Sequence, residues 1–437
     1  MEIPDEATDS SILTDESILL DESASLGEFL PDETLPSNPV LVSRTHTGSV
    51  GLGASGRSSA SRDGRFVVFE SNANDLVSGD SNGVADVFLV DKEKLSLLRV
   101  GPASGEPNGA SGRPSISADG SVVAFESNAS NLVSGDDNNT TDVFLYEVFS
   151  GVLKRVSVST DHEQGNLESF SASVSDDGNL IAFASNSNNL VPDDLNVATD
   201  IFVHNVIAST TKRVSVNSGG EAPLDNYRPS SDPVISGDGT TVVFSSYSSK
   251  LTGQNTGEYS NIYKHSLLTG VTTLVSASDT QTGNGDSGEP AISENARFVV
   301  YSSLASNLVD NDTNQLRDVF LFDSDNNLTV KISRSLNNEG SDGHSSSPSI
   351  DGAGLRIAFQ SSADNIGVVG NTDAQNIFLY SLENDSLSSL DSVQPDGSSY
   401  EPNLSADGAW LVMTSDATNL GVEDLNSSSD VFLFYLD

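Results

Sequence analysis

The chain has 437 residues, no cysteine, 36 glycines, 6% aromatic residues and a net charge of −43. Without cysteine there is no disulfide framework, so packing or bound metal must hold the fold. The acidic excess argues against nucleic acid and anionic membrane as partners, because phosphate neutralisation needs Lys and Arg, and no stretch approaches the roughly 18 apolar residues of a spanning helix.

The first 37 residues hold eleven Asp and Glu and no Lys or Arg. Their few apolar residues show no sustained period, so 1–37 reads as an acidic, disordered N-terminal segment. Its opening, "MEIPDEATDS", is acidic where a secretory signal would be basic. Residues 38–437 read as one domain. They remain acidic, so charge is not confined to the tail.

From residue 59 onward one unit recurs seven times. "SISADGSVVAFESNASNL" at 115–132 has counterparts at 59–76, 171–190, 234–251, 291–308, 349–366 and 403–420. The anchoring apolar residue is Phe69, Phe125, Phe183, Phe244, Tyr301, Phe359 or Met413. Seventeen residues after each anchor an Asp or Asn opens a second apolar run: Asp86, Asp142, Asp200, Asn261, Asp318, Asn376 and Asp430. A rigid unit joined by variable loops is the pattern of a solenoid or propeller.

Each copy contains four strand signals. Strand a ("PSIS") meets strand b ("VVAFES") through a turn such as Asp119-Gly120, a strong hairpin signal. Strand c ("DVFLY") and strand d ("LKRVSVS") follow. Four antiparallel strands per repeat describe a propeller blade. The last copy stops after strand c, and residues 39–46, "PVLVSRTH", resemble a lone strand d. The expected fold is therefore all-β: a seven-bladed β-propeller of four-stranded antiparallel blades, closed by an N-terminal strand completing the last blade.

The "SxDGxxVAFxS" hairpin followed by "DVFLY" resembles the WD40-like propeller repeat of the TolB type. Where that repeat has Pro before Asp-Gly, this chain has Arg62, Ala118, Asp176, Gly237 and Ala406. The resemblance implies a binding scaffold more often than an enzyme. It also implies a bacterial-type extracytoplasmic location, whether periplasmic, cell-surface or secreted.

Repetition filters the candidate sites. Ser71, Ser127, Ser185, Ser246, Ser303, Ser361 and Ser415 share one register. As nucleophiles they would demand seven active sites, so they read as hydroxyls satisfying backbone groups. His204 and His265 occupy positions held elsewhere by Val90, Tyr146, Phe322, Tyr380 and Phe434, and read as packing residues. "GLGASG" at 51–56 has no following helix and reads as a loop. No catalytic constellation stands out.

Five b–c loops share the frame D-x-N-x-x-x-D. These are Asp80/Asn82/Asp86, Asp136/Asn138/Asp142, Asp194/Asn196/Asp200, Asp312/Asn314/Asp318 and Asp424/Asn426/Asp430. Alternating oxygens suit Ca²⁺, the one cofactor the sequence suggests. An Asx-turn hairpin explains the same residues without metal. Blades 4 and 6 depart from the frame, with Asn255/Gly257/Asn261 and Gly370/Thr372/Asn376.

The b–c and d–a loops emerge on one face, which should be acidic and should carry binding. Blade 4 breaks the pattern there with Tyr227, Arg228, Tyr247, Lys250 and Tyr259, residue types enriched in binding hot spots. The leading expectation is a monomeric, non-catalytic propeller that binds a protein, peptide or glycan on this face, without nucleic acid or membrane insertion. The alternatives are a Ca²⁺-stabilised surface module and a carbohydrate-active enzyme with a site at the channel mouth.

Overall fold

Strands b and c carry consecutive apolar residues because both of their faces are covered. Val67, Val68 and Phe69 of one strand b, and Val87 and Phe88 of the adjoining strand c, have no exposed surface. A computed structural model describes residues 39–224, 227–278, 281–335, 340–366, 374–390, 395–420, 424 and 426–436. The acidic segment 1–37 lies outside the described residues, as do Gly370 and Thr372.

Among the described residues every element is a strand, and the strands form seven four-stranded antiparallel sheets. Blade 1 comprises β2 (Ser55–Ala60), β3 (Phe66–Ser71), β4 (Asp86–Asp91) and β5 (Ser96–Arg99). Blades 2 to 6 repeat this order through β6–β25 over residues 111–155, 169–213, 230–274, 287–331 and 345–389. Blade 7 comprises β26 (Ser399–Leu404), β27 (Trp410–Ser415), β28 (Asp430–Tyr435) and the N-terminal β1 (Val40–Leu41).

The expected closure is the one observed. Val40 pairs with Leu433 and Leu41 with Phe432. The Val42 amide then donates to the Val431 carbonyl at 2.8 Å. Strands a adjoin one another around the ring and line its axis, while strands d lie outermost. The apolar core is divided into seven clusters, one in each gap between blades. One contains Phe69, Phe88, Val412 and Leu433, which joins blade 1 to blade 7. Six of the seven anchors stack on an aromatic of strand c, as Phe69 does on Phe88 at 5.6 Å. Apolar burial of this kind, at roughly 25 cal/mol per Å², cements each blade to its neighbour.

The a–b turns behave as the Asp-Gly signal predicts. Gly120 has φ 72°, the left-handed geometry that such a hairpin needs. In blade 5 Ala296 adopts φ 58° at the same place.

Candidate functional site

The seven repeated serines hold the blades together. Each lies within hydrogen-bond reach of the first serine of its strand a, from Ser55–Ser71 at 2.8 Å to Ser399–Ser415 at 3.0 Å. His204 and His265 are buried. Their Nδ1 atoms meet Thr211 and Thr272 at 3.0 and 2.8 Å. Both threonines donate to a carbonyl of the preceding blade. Burial first, and then the charge of His162, lower the His204 pKa to about 4. "GLGASG" is a crossing of two loops: a Cβ on Gly53 would lie 2.6 Å from the Ala73 amide nitrogen.

The five Asx loops share one geometry. In four of them the Asn oxygen accepts from the backbone two residues on, at about one hydrogen-bond length: Val84 N to Asn82 (3.1 Å), Thr140 N to Asn138 (3.0 Å), Ala198 N to Asn196 (3.1 Å) and Leu316 N to Asn314 (3.1 Å). In blade 7 the Ser428 amide donates to Asn426 in the same way, at 2.6 Å. Each Asn amide then donates to the following d–a loop. Asn82 reaches Pro107 O, Asn138 Gly165 O, Asn196 Pro223 O, Asn314 Ser341 O and Asn426 Gly51 O. The asparagines expected as Ca²⁺ ligands are therefore engaged at both ends by protein. Asn314, for example, spans from Leu316 N to Ser341 O (3.0 Å). These are Asx turns stapled to the neighbouring loop.

Four of the loops also contain an internal cation from strand d, where the acids alone had suggested a metal. Arg99 reaches Asp80 (3.0 Å) and Asp86 (3.4 Å), and Arg155 reaches Asp136 (3.4 Å) and Asp142 (3.5 Å). Arg213 reaches Asp194 (2.7 Å) and Asp200 (3.2 Å), and Lys331 reaches Asp312 (3.0 Å) and Asp318 (2.7 Å). Among the described residues no group of three or more His, Asp or Glu converges to hold a metal.

The inner strands carry a feature the sequence did not announce. Every a–b pair contains a β-bulge. The third residue of each strand a has positive φ: Arg57, Arg113, Ser171, Asp232, Glu289, Ser347 and Glu401, between 47° and 54°. Such backbone is uncommon without glycine. Its recurrence in one register makes it part of the architecture. In five places the bulge N–H donates to a side chain of the preceding blade. Glu401 accepts from Arg57 (3.1 Å), Glu70 from Arg113 (3.2 Å) and Glu126 from Ser171 (2.9 Å). Glu289 accepts from Ser347 (2.9 Å), and Gln360 from Glu401 (2.9 Å). Burial, ahead of its hydrogen bond and ion pairs, raises the Glu126 carboxyl pKa. The acidic groups around the channel mouth thus hold the backbone of the ring.

The other end of the channel is bridged. Arg62 of blade 1 donates to Asp176 of blade 3 (2.5 Å) and Glu294 of blade 5 (3.1 Å), which brings three non-adjacent blades together on the axis. Backbone bonds join the same turns, including Arg62 N to Ala118 O (2.8 Å) and Asp176 N to Gly237 O (3.0 Å). Arg62 and Asp176 are two of the residues that replace the TolB-type Pro.

On the b–c and d–a face the blade 4 residues are partly gathered. Arg228 donates to the Tyr247 carbonyl (3.0 Å) and the Gly257 carbonyl (3.3 Å), so its guanidinium braces the loop that carries Tyr259. Tyr227 is 81% exposed, and Tyr247, Tyr259 and Lys250 also reach solvent. Tyr259 lines a cleft of about 590 Å³ with Asn255, Gly257, Gln281, Asn284 and Asn307. Beside this group lies an apolar patch that the sequence reading does not single out. Leu195 (73% exposed) and Val197 (62%) flank Asn196 in blade 3, and the Asn196 amide reaches Pro223 O (3.4 Å), next to exposed Leu224. Blades 1, 2 and 5 have Ser81/Gly83, Asp137/Asn139 and Thr313/Gln315 in place of Leu195/Val197. Comparing the variable positions of the frame across copies would have revealed the patch.

Bulged inner strands, inter-blade cores and strand-d closure define a closed seven-bladed β-propeller. No protein-family model matches the chain, and no curated protein matches it in sequence. Among solved structures it is similar to the β-propeller domain of the Trilobed protease from Pyrococcus furiosus, described as having an open velcro topology. That match has TM-score 0.54 and 9% identity, and covers 87% of this chain and 92% of that one. It is similar to oligogalacturonate lyase from Vibrio parahaemolyticus, with TM-score 0.51, 10% identity, and coverage of 89% and 93%. TolB from Acinetobacter baumannii matches with TM-score 0.41 and 14% identity over 73% of this chain, which spans 62% of that protein's length. At these identities the likeness is one of fold, and the fold hosts enzymes and non-enzymes alike.

Proposed function

We propose that this protein is a non-catalytic, extracytoplasmic binding scaffold that engages a protein or peptide through the blade 3–4 sector of its loop face. The observation that carries the reading is exposed Leu195 and Val197 flanking Asn196, whose amide reaches the Pro223 carbonyl beside exposed Leu224, with exposed Tyr227 three residues further along the same loop. Surface apolar residues are ordinary when scattered, but contiguous ones rimmed by polar loops mark interaction sites. The loops beneath are stapled by side-chain hydrogen bonds and by Arg228, so little ordering is lost on binding. Among the described residues no helix is long and apolar enough to cross a membrane.

The test is selection of peptide and glycan ligands on the intact protein, followed by affinity measurement with face variants. Tyr227→Ala combined with Leu195→Ser should weaken a selected peptide at least tenfold, as expected for truncating two anchors at about 1–2 kcal/mol each. Leu268→Ser, on the opposite face, should leave it unchanged. Equal loss from both variants, or none from the first, sinks the reading. Turnover of a uronate or peptide substrate that one carboxylate substitution abolishes would show an enzyme instead.

A further inference from the structure

The internal repeats act as their own alignment. In blades 1, 2, 3 and 5 both aspartates of the frame are present, and so is a strand-d cation paired with the strand-c aromatic: Arg99 opposite Phe88, Arg155 opposite Phe144, Arg213 opposite Phe202, Lys331 opposite Phe320. In blade 4 the acids and the cation are lost together: Asn255, Asn261 and Leu274 opposite Tyr263. Blade 6 has Asn376 and, opposite Phe378, Ser389. Blade 7 alone keeps both acids and loses the cation. Asp424 and Asp430 remain, and the residue opposite Phe432 is Leu41 of the closing strand.

The consequence is visible at the atoms. Asp424 is 5% exposed, and its Oδ2 has no hydrogen-bond partner. Asp430 has no exposed surface; its Oδ1 takes the Ser43 hydroxyl at 2.6 Å and its Oδ2 takes only the Asn426 amide at 3.2 Å. Among the described residues no Lys or Arg pairs with either carboxylate. Two neighbouring buried carboxylates need a compensating charge. With Asp424 this buried, the compensating charge must be small. Hard oxygen ligands in a loop, open to further carbonyls and water, suit Ca²⁺.

We propose that the b–c loop of blade 7 binds one Ca²⁺ between Asp424 and Asp430, in the place that Arg or Lys fills in blades 1, 2, 3 and 5. The site lies where the ring closes. Ser43, which donates to Asp430, also accepts from the Val431 amide at 3.0 Å, and Asn426 donates to the Gly51 carbonyl at 2.6 Å. Bound Ca²⁺ would thereby fasten the short β1 and its following loop to blade 7. This is independent of the binding face on blades 3 and 4.

The experiment is a thermal melt and a Ca²⁺ titration against a chromophoric chelator, on the full chain in high KCl to suppress diffuse counter-ion binding. One site is expected, with millimolar Ca²⁺ raising the melt by roughly 5 °C over EDTA. Asp424→Asn should remove both signals, while Asp136→Asn in blade 2 should keep them. Leu41→Arg should raise the melt in EDTA and abolish the Ca²⁺ response, which guards against a folding defect in the first variant. An unchanged wild-type melt would overturn the proposal. So would a full response in Asp424→Asn or Leu41→Arg, since Ca²⁺ would then be bound elsewhere on this acidic chain.

Discussion

Blades 4 and 5 are neighbours with one backbone and opposite chemistry. Blade 5 buries Asp312 and Asp318 around Lys331. Blade 4 has Asn255, Asn261 and Leu274 in the same registers. Asn261 still heads its strand: its Oδ1 accepts from Ser276 (3.0 Å) and its amide donates to Tyr259 O (2.8 Å). Charge is thus not required by the loop. Outside blade 7 it is retained or lost as a set, because half a set leaves a buried ion unpaired. Where the set is gone, the neutral walls line the cleft that contains Tyr259.

The most damaging way to break this comparison is to take the cation from blade 5 and leave its acids. Lys331→Met keeps most of the side-chain volume and strands two carboxylates whose side chains are 3% and 0% exposed. A loss of about 3–5 kcal/mol is expected, read as a lower urea midpoint. The triple change Lys331→Leu, Asp312→Asn, Asp318→Asn copies blade 4 and should recover to within about 1 kcal/mol of the native chain, since a buried ion pair exchanged for neutral groups is often near neutral. If the triple variant is no better than the single one, the set is not the unit.

Much of this architecture is legible in the sequence, because the anchors at Phe69 to Met413 and the fixed step to strand c repeat seven times. The lone strand d before the first copy is enough to foretell the closure. The ion pairs are hidden for a different reason. Each cation stands thirteen residues beyond its aspartate, in another strand, so a motif read along the loop shows acids only and suggests metal. The asparagines mislead in the same way: the carbonyl that Asn314 staples lies 27 residues further on, at Ser341. The bulges left no trace at all. Residues such as Arg57 and Glu289 carry none of the Gly or Asn signal that normally marks positive φ. At five of the seven, Arg57 among them, the bulge N–H finds its acceptor on the preceding blade, out of reach of any local pattern. Arg62 stood out by replacing Pro, yet its partners lie on blades 3 and 5, which no local pattern connects.

Blade 1 sharpens the comparison from within the charged set. In blades 2, 3, 5 and 7 a strand-d serine donates to the strand-heading Asp, at 2.6–2.7 Å. Blade 1 has Gly101 there, and the Asp86 Oδ1 is buried without a partner. Burial, against the smaller opposing effects of Asn82 and Arg99, pushes the Asp86 pKa up to about 6. Its native carboxyl therefore holds a proton where the unfolded one, near 3.9, does not. That makes its charge a liability above pH 6, relieved as pH falls toward 4. Asp86→Asn should be more stable than the native chain by about 2 kcal/mol at pH 7.5. The gap should close between pH 6 and pH 4, as followed by melts across that range. A gap that widens on acidification would mean that Arg99 gains more from the charge than burial costs.

The smallest change tests the same vacancy from the other side. Gly101→Ser supplies the hydroxyl that Ser157, Ser215 and Ser333 provide elsewhere. Gly101 does not have positive φ, so a side chain brings no backbone strain. Its new Cβ would sit 3.3 Å from Pro107 Cδ and Cγ, closer than usual, and the d–a loop must yield by a few tenths of an ångström. One hydrogen bond to a buried carboxylate contributes about 1–2 kcal/mol, and the crowding offsets part of it. A net gain of about 1 kcal/mol is expected at pH 7.5, with a smaller gain at pH 4, where Asp86 is protonated. The Asp86→Asn and Gly101→Ser effects should also be less than additive, because both relieve the same carboxylate. Full additivity would place the strain of blade 1 somewhere other than Asp86.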